Sequence, residues 1–437
     1  MKPPSPLAPF LRRLSEFSTL RWTGHVIKAV GNIVESEGPF CSVGEGCAIL
    51  TSDGNSHPGE IVGFRGRTVL SIPLERPAGI RFGDRIVTRG TRPALRVGDD
   101  LLGRVIDGSG KPIDSGGTYR AREHRPLSVD APLPLERIPI HEPIGCGIRS
   151  IDGFLTCGRG QRIGIFGGSG VGKSTLIGMM TRGTSADLTV LALVGERGRE
   201  VREFLEDAIG EEGRRRSVIV VSTSDQSPLL RIRAALAATS IAEYFCSRGK
   251  HVLLVVDSLT RFAMAQREIG LAAGEPPTAK GYTPSVFDGL ARLIERAGSF
   301  SGGSISAFYT VLMEGDDQLD PLVDAVRALL DGHIVLDRRL TAQGHFPAVS
   351  ILDSLSRLMP AVTSPDHVAK VLRLRRLLAA YSASEDLIRV GAYQKGADPA
   401  LDQAIAALPA LNAFLQQKKG ERPRLEETFA GLMALPG

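Results

Sequence analysis

The run Gly167-Gly-Ser-Gly-Val-Gly-Lys-Ser174 has the residue types and spacing to hold a chain of phosphates. Its members, Gly167, Gly168, Ser169, Gly170, Val171, Gly172, Lys173 and Ser174, with Thr175 next, join an apolar strand to an apolar helix. Glycines let the backbone curl so that successive N–H groups face phosphate oxygens, and the helix N-terminus adds its dipole. Lys173 is placed to reach the β- and γ-phosphates of a nucleoside triphosphate, and the Ser174 hydroxyl to ligate Mg2+. The metal also calls for a carboxylate, which His251-Val-Leu-Leu-Val-Val-Asp257 supplies at the C-terminal end of an apolar strand. Hydrolysis further needs a group that orients or deprotonates water. Glu196, in Gly195-Glu196-Arg197-Gly198-Arg199-Glu200 just past the strand Leu188–Val194, can aim a carboxylate at the γ-phosphate. The same run also has the composition of a solvated charged loop, and spacing alone does not separate the two.

These residues need a scaffold that brings several strand ends together. From about 145 to 360, apolar strands at Arg162–Phe166, Thr189–Val194, Ser217–Val221, His251–Val256, Ser304–Val311 and Ile334–Leu336 alternate with helix-length segments. That alternation predicts an α/β domain, a mainly parallel sheet with helices on both faces. Before it, from Thr23 to Leu95, short β-branched stretches separated by Gly, Pro, Asn and Asp predict a small β-barrel or sandwich. Beyond Pro365 the strand pattern stops, and Val368–Tyr381, Leu401–Ala406 and Pro409–Gln417 read as helices of a small α-domain. The expected organisation is therefore residues 1–22, an amphipathic N-terminal helix; 23–95, a β-barrel; 96–364, the P-loop domain; and 365–437, a helical domain. In the first of these, Phe10, Leu11, Leu14 and Phe17 recur at helical spacing after Pro9, a face suited to packing, to a partner or to a membrane surface.

A chain of 437 residues is long enough for two or three such domains. Hydrophobic and charged fractions of 42% and 23% are those of an ordinary globular protein. The longest apolar runs, such as Val252–Val256, fall far short of the roughly 20 residues of a membrane span, and the N-terminus lacks a signal-peptide pattern. A cytoplasmic location is expected. Cys41, Cys47, Cys146, Cys157 and Cys246 are scattered without a CxxC pair, which points to neither a zinc site nor a disulfide framework. The net charge of +5 is dispersed along the chain. Arg214-Arg215-Arg216 reads as a solvated helix end, and the N-terminal region lacks the aromatic and basic interleaving of single-strand binders, so no nucleic acid is expected.

Taken together, Gly167–Ser174, Gly195–Arg197 and Asp257 resemble the catalytic β subunit of rotary ATP synthases, and more closely the flagellar and type III secretion export ATPases. Longer runs carry the same resemblance: Pro143–Asp152, Gly195–Phe204, Asp257–Arg267, Glu314-Gly-Asp-Asp317 and Asp331-Gly-His-Ile334. It extends from about residue 23 to the C-terminus and implies a β-barrel, a RecA-like ATPase domain and a C-terminal helical domain. It assigns Glu196 the role of polarising water and Arg197 a contact to the γ-phosphate. Arg357, in Asp353-Ser-Leu-Ser-Arg357, matches an arginine finger that enters a neighbouring subunit's site, where its planar, permanent charge suits phosphoryl oxygens. Phe346, in His345-Phe-Pro347, falls where the family sets an aromatic against adenine; core packing is the other reading of that ring.

The resemblance thus implies a Mg-ATP hydrolase that acts as a homohexameric ring and promotes chaperone release and substrate export. Its implied partners are further copies of itself, a regulatory stator protein at the N-terminal segment, an export gate, chaperones and export substrates. Its implied place is peripheral, at the inner-membrane export apparatus. Gly167–Gly172 looks more like the flagellar members than the virulence-secretion ones. A rotary ATP synthase subunit, a non-catalytic ring subunit and a hexameric RNA translocase are the competing readings; the presence of Glu196 argues against the second.

Overall fold

The computed structural model describes residues 21–88, 90–313 and 320–436. The expected N-terminal helix lies, but for its last two positions, outside the described residues, and so does Glu314-Gly-Asp-Asp317.

Six antiparallel strands, β1 (Thr23–Val30), β2 (Ile33–Glu37), β3 (Gly46–Leu50), β4 (Ser56–Arg65), β5 (Thr68–Pro73) and β6 (Arg85–Thr88), close a barrel in the order β1-β2-β5-β4-β3-β6. Val26, Val34, Ile49, Ile61 and Ile86 fill its interior, and closure leaves no open sheet edge. Glu60 of β4 pairs with the buried Arg233 at 2.7 Å, and the Ser227 hydroxyl donates to the Leu74 carbonyl at 2.7 Å. These contacts fasten the barrel to the next domain.

The second layer is one large sheet. Its strands are β7 (Val105–Asp107), β8 (Arg162–Gly167), β9 (Leu188–Glu196), β10 (Ser217–Thr223), β11 (His251–Asp257), β12 (Gly303–Leu312), β13 (Gly332–Leu336) and β14 (Val349–Ser356). They run in the order β14-β13-β8-β12-β11-β9-β10-β7. All neighbouring pairs on this path are parallel except β13 with the edge strand β14. Strands β9 and β11 are apolar almost throughout because helices cover both faces. Their pleat divides the core: Val190, Ala192, Val252 and Leu254 join one apolar cluster, and Leu191, Leu193, Leu253 and Val255 the other. The three-residue β7 lies in a stretch rich in Gly and Pro and becomes a strand only by pairing with β10.

Helices α1 (Lys173–Gly183), α2 (Pro228–Ser247) and α3 (Leu259–Ala273) follow β8, β10 and β11. Past the sheet come α4 (Pro365–Arg389), α5 (Pro399–Leu415) and α6 (Leu425–Met433). The sequence suggested two helices broken at Pro409, whereas α5 runs through that proline. Leu401, Ala404, Ala407, Leu411 and Phe414 are buried at helical spacing on both sides of it, so packing outweighs the one lost backbone bond. Among the described residues no helix is long and apolar enough to cross a membrane.

Candidate active site

The register of the parallel strands places the predicted chemistry on one edge of the sheet. Gly167 at the tip of β8 is level with Leu312 of β12, and Asp257 at the tip of β11 is level with Leu193 of β9. The loop after β8 turns through Gly170 and Gly172, whose φ values of 78° and 93° lie in the left-handed region that favours glycine. Gly172 then caps α1.

Lys173 is only 9% exposed, and its Nζ donates to the carbonyls of Gly167, at 2.9 Å, and Gly168. Its ammonium therefore rests inside the curl of the loop. Burial lowers its pKa, against the opposing pull of Asp257 and Glu196. Asp257 is 7% exposed and accepts from the Thr310 hydroxyl at 2.6 Å. Burial raises its pKa, opposed by that hydrogen bond and by the charges of Lys173 and Arg261. Glu196 sits where the pairing of β9 with β10 slips by one residue, between Val194 and Glu196, and Gly195 takes a φ of 69°. Such a bulge re-aims the side chain that follows it. The Glu196 carboxyl is pushed up to about 7, first by burial and then by the negative charge of Asp257.

Two cavities flank the loop. One of about 330 Å³ is bordered by Ser174, Glu196, Glu200 and Asp257. The other, of about 860 Å³, is bordered by Gly170, Leu336, Phe346 and Gln416. Thr175 and Lys419 border both. The predicted phosphate-binding residues and Phe346 thus border one cleft, and Phe346 is 48% exposed at the larger cavity.

The small cavity fits a magnesium ion. Ser174 and Asp257 offer hard oxygen donors, and two dehydrated carboxylates, Asp257 and Glu196, both with raised pKa, leave negative charge that a cation would relieve. Among the described residues no cluster of three or more His, Cys, Asp or Glu could hold a metal unaided. That suits an ion that keeps waters and shares phosphate oxygens.

Two predicted residues stand apart from this cluster. Arg197 has a side chain 76% exposed, pairs with Glu200 at 3.3 Å and borders neither cavity. Arg357 follows β14, and its N–H donates to the Asp331 carbonyl at 3.0 Å. Ser356 is level with Gly332 at the start of β13, while Leu336, at the other end, is level with Val349 beside the P-loop. At about 3.3 Å per residue, the two ends of β13 are ~13 Å apart, so Arg357 lies at the opposite edge of the sheet from its own chain's loop.

Sequence reasoning missed other participants. Arg261, in the first turn of α3, donates to the Gly195 carbonyl at 3.0 Å and its charge opposes the pKa rise of both Glu196 and Asp257. Its presence in Asp257–Arg267 was visible, but nothing in its spacing distinguished it from a surface helix residue. The residues 416–419 that border the larger cavity follow α5, far along the chain, and carry no local signature.

Comparison with known proteins agrees along nearly the whole chain. Residues 26–90 match the ATP synthase alpha/beta family β-barrel domain, 147–356 that family's nucleotide-binding domain, and 363–434 the T3SS EscN ATPase C-terminal domain. The flagellum-specific ATP synthase of Pseudomonas aeruginosa is 51% identical over 418 residues, covering 94% of this chain and 92% of its own. The type 3 secretion system ATPase of Sinorhizobium fredii is 48% identical over 413 residues, with coverage of 94% and 92%. Among solved structures, the assembled ATPase EscN of the enteropathogenic E. coli type III secretion system superposes with a TM-score of 0.89 at 44% identity. That match covers 94% of this chain and 99% of EscN.

Proposed function

Because the chain belongs to the ATP synthase alpha/beta family, among its flagellar and type III secretion ATPases, we propose the following residue-level account of its chemistry and assembly. The protein is an ATP hydrolase of the flagellar and type III protein export apparatus. The observation that carries the site assignment is the meeting of Lys173, Glu196 and Asp257 on one strand edge, each with its charge perturbed by burial.

ATP lies along the cleft with its base against Phe346 and its phosphates over Gly167–Thr175. Lys173 holds the β- and γ-phosphates, and Arg197 swings from Glu200 to the γ-phosphate. Ser174 and Asp257 would hold Mg2+, which would supply charge neutralisation to the phosphates. Glu196 orients a water in line with the bond to be broken. As the water oxygen bonds to the γ-phosphorus, the bond to the β–γ bridging oxygen breaks and its electron pair leaves with ADP. Glu196 takes the proton from the water; a carboxyl pushed up to about 7 is matched to that exchange near neutrality.

Arg357, at the far edge of the sheet, serves the site of the next subunit, stabilising charge on the transferring phosphoryl group. The active form is therefore a homohexameric ring. EscN has been solved assembled, and in complex with its central stalk EscO. By the same logic this chain self-associates and takes regulatory partners, among them a stator protein at residues 1–22. Export gate, chaperones and substrates are its further partners, at the membrane periphery. The flagellar branch is favoured by the glycine-rich loop; flagellum-specific relatives run from 51% to 44% identity, a range that includes the 48% and 47% of the type 3 secretion ones.

The decisive experiment follows ATPase rate per subunit across a wide concentration range while light scattering reports molar mass. Specific activity should climb as a large ring forms. A flat rate carried by monomers would remove the ring and the role of Arg357.

A further inference from the structure

The segment after α5 leaves the helical region and lies along the nucleotide cleft, where residues of the P-loop domain pin it. The Arg149 guanidinium donates to the carbonyls of Phe414 at 2.8 Å and Gln416 at 2.5 Å, and pairs with Glu421 at 2.6 Å. Gln417, buried between the two regions, accepts from the Arg149 N–H at 2.9 Å and donates to the Gly147 carbonyl at 2.8 Å. Arg182, in the last turn of α1, donates to the Lys419 carbonyl at 2.9 Å. The backbone of Lys419 is thus fixed to the same helix that opens with Lys173 and Ser174, while its side chain stays exposed.

Lys419 and Thr175 border both the base-side and the phosphate-side cavity, so they stand where the α- and β-phosphates of a bound nucleotide must pass. Around the phosphate-side cavity the charge is strongly negative: Glu196, Glu200, Glu203, Asp207 and Asp257 all border it. A polyphosphate entering there needs cations. Of the basic groups on that cavity wall, Arg182 is engaged with the Lys419 carbonyl, whereas the Lys419 ammonium has no ion pair among the described residues.

We propose that Lys419 is a phosphate-binding residue supplied by the helical region, its ammonium contacting the α- and β-phosphates of ATP and ADP. The Arg149–Gln417–Glu421 clasp positions it. This rests on the reading of the cleft as an ATP site. Binding of nucleotide then draws the helical region and the P-loop domain onto one ligand, from Lys419 on one side and Lys173 on the other.

The test compares Lys419→Ala, Lys419→Arg and Glu421→Gln with the wild-type ring, measuring KM and kcat for ATP and Kd for ADP. A charge-assisted contact at a partly solvated site predicts that Lys419→Ala raises KM and Kd about five- to tenfold, with kcat within about twofold. Lys419→Arg should restore most of that loss, because the charge is kept. Glu421→Gln should give the same pattern at about two- to threefold, since it loosens only the clasp. Wild-type KM and Kd in Lys419→Ala would overturn the proposal, as would an equal defect in Lys419→Arg, which would mark a packing role. A wild-type chain that neither binds ADP nor hydrolyses ATP would overturn the ATP-site reading itself.

Discussion

The two ends of the cleft are built by opposite means. At the phosphate end the working groups sit on the tips of adjacent strands or in the first turn of α1, with Lys173 and Asp257 less than 10% exposed and their charges perturbed by burial. At the end proposed to take the base, Phe346 is half exposed and part of its surroundings comes from a loop of the helical region, held by side-chain hydrogen bonds and an ion pair. Chemistry needs dehydrated groups at fixed positions, because electrostatic effects grow as water is excluded. Gripping a base needs only a complementary face, and a face can be assembled from separate segments. Changes among the buried groups on the strand tips should therefore appear in kcat, and changes at Phe346 or in the loop of the helical region in KM.

The largest expected effect comes from neither end of one chain's cleft. Arg357→Ala should lower turnover by about a thousandfold or more while rings still form and bind nucleotide. Mixing that variant with Lys173→Ala chains should restore part of the rate, since each intact loop can then meet an intact arginine from its neighbour. Normal turnover of Arg357→Ala alone would sink the shared site.

Next in size, Glu196→Gln should reduce kcat by about 10²- to 10³-fold and leave ADP affinity within about twofold. The carboxylate form is the active one, so the wild-type rate should rise with pH and then level off, and Mg2+ at Asp257 would offset the second cause of the shift and set that rise below about 7. Stability carries the opposite slope. Because the folded pKa is raised from 4.5 to about 7, the native chain holds more protons than the unfolded one between those values. That contribution is present in acid and lost as pH rises through the window, so Glu196→Gln should lose less melting temperature than wild type between acid and mildly alkaline buffer. An unchanged kcat in Glu196→Gln would erase the contrast between the two ends.

The smallest effect tests the base end. Phe346→Ala should raise KM for ATP about fivefold, the low end of base-on-aromatic stacking for a half-exposed ring, with kcat nearly unchanged. A loss confined to kcat would mean that Phe346 shapes the phosphate end instead.

Legibility in the sequence followed the same division. The barrel, the alternating strands and helices, and the loop Gly167–Ser174 were readable because each is a local pattern: period-two alternation, buried apolar runs, glycines where φ is positive. Asp257 was readable because a carboxylate ending an apolar strand has few places to go but the sheet's C-terminal edge. Glu196 was ambiguous from its own neighbours; the slip in β9 that turns it toward the cleft depends on pairing with β10. Arg261 gave no signal at all, since it sits on a helix and its target is the carbonyl of Gly195, on a strand 66 residues earlier.

By itself, then, the sequence determined the glycine-rich loop and the kind of sheet that carries it, since backbone curvature and burial periodicity are properties of short stretches. Only the tertiary structure decided that the segment carrying Gln417 and Lys419 closes the cleft, and that Arg357 lies on the sheet edge away from it. Those placements depend on contacts between residues hundreds of positions apart, such as Arg149 with Glu421, and no local propensity encodes the meeting of two such partners.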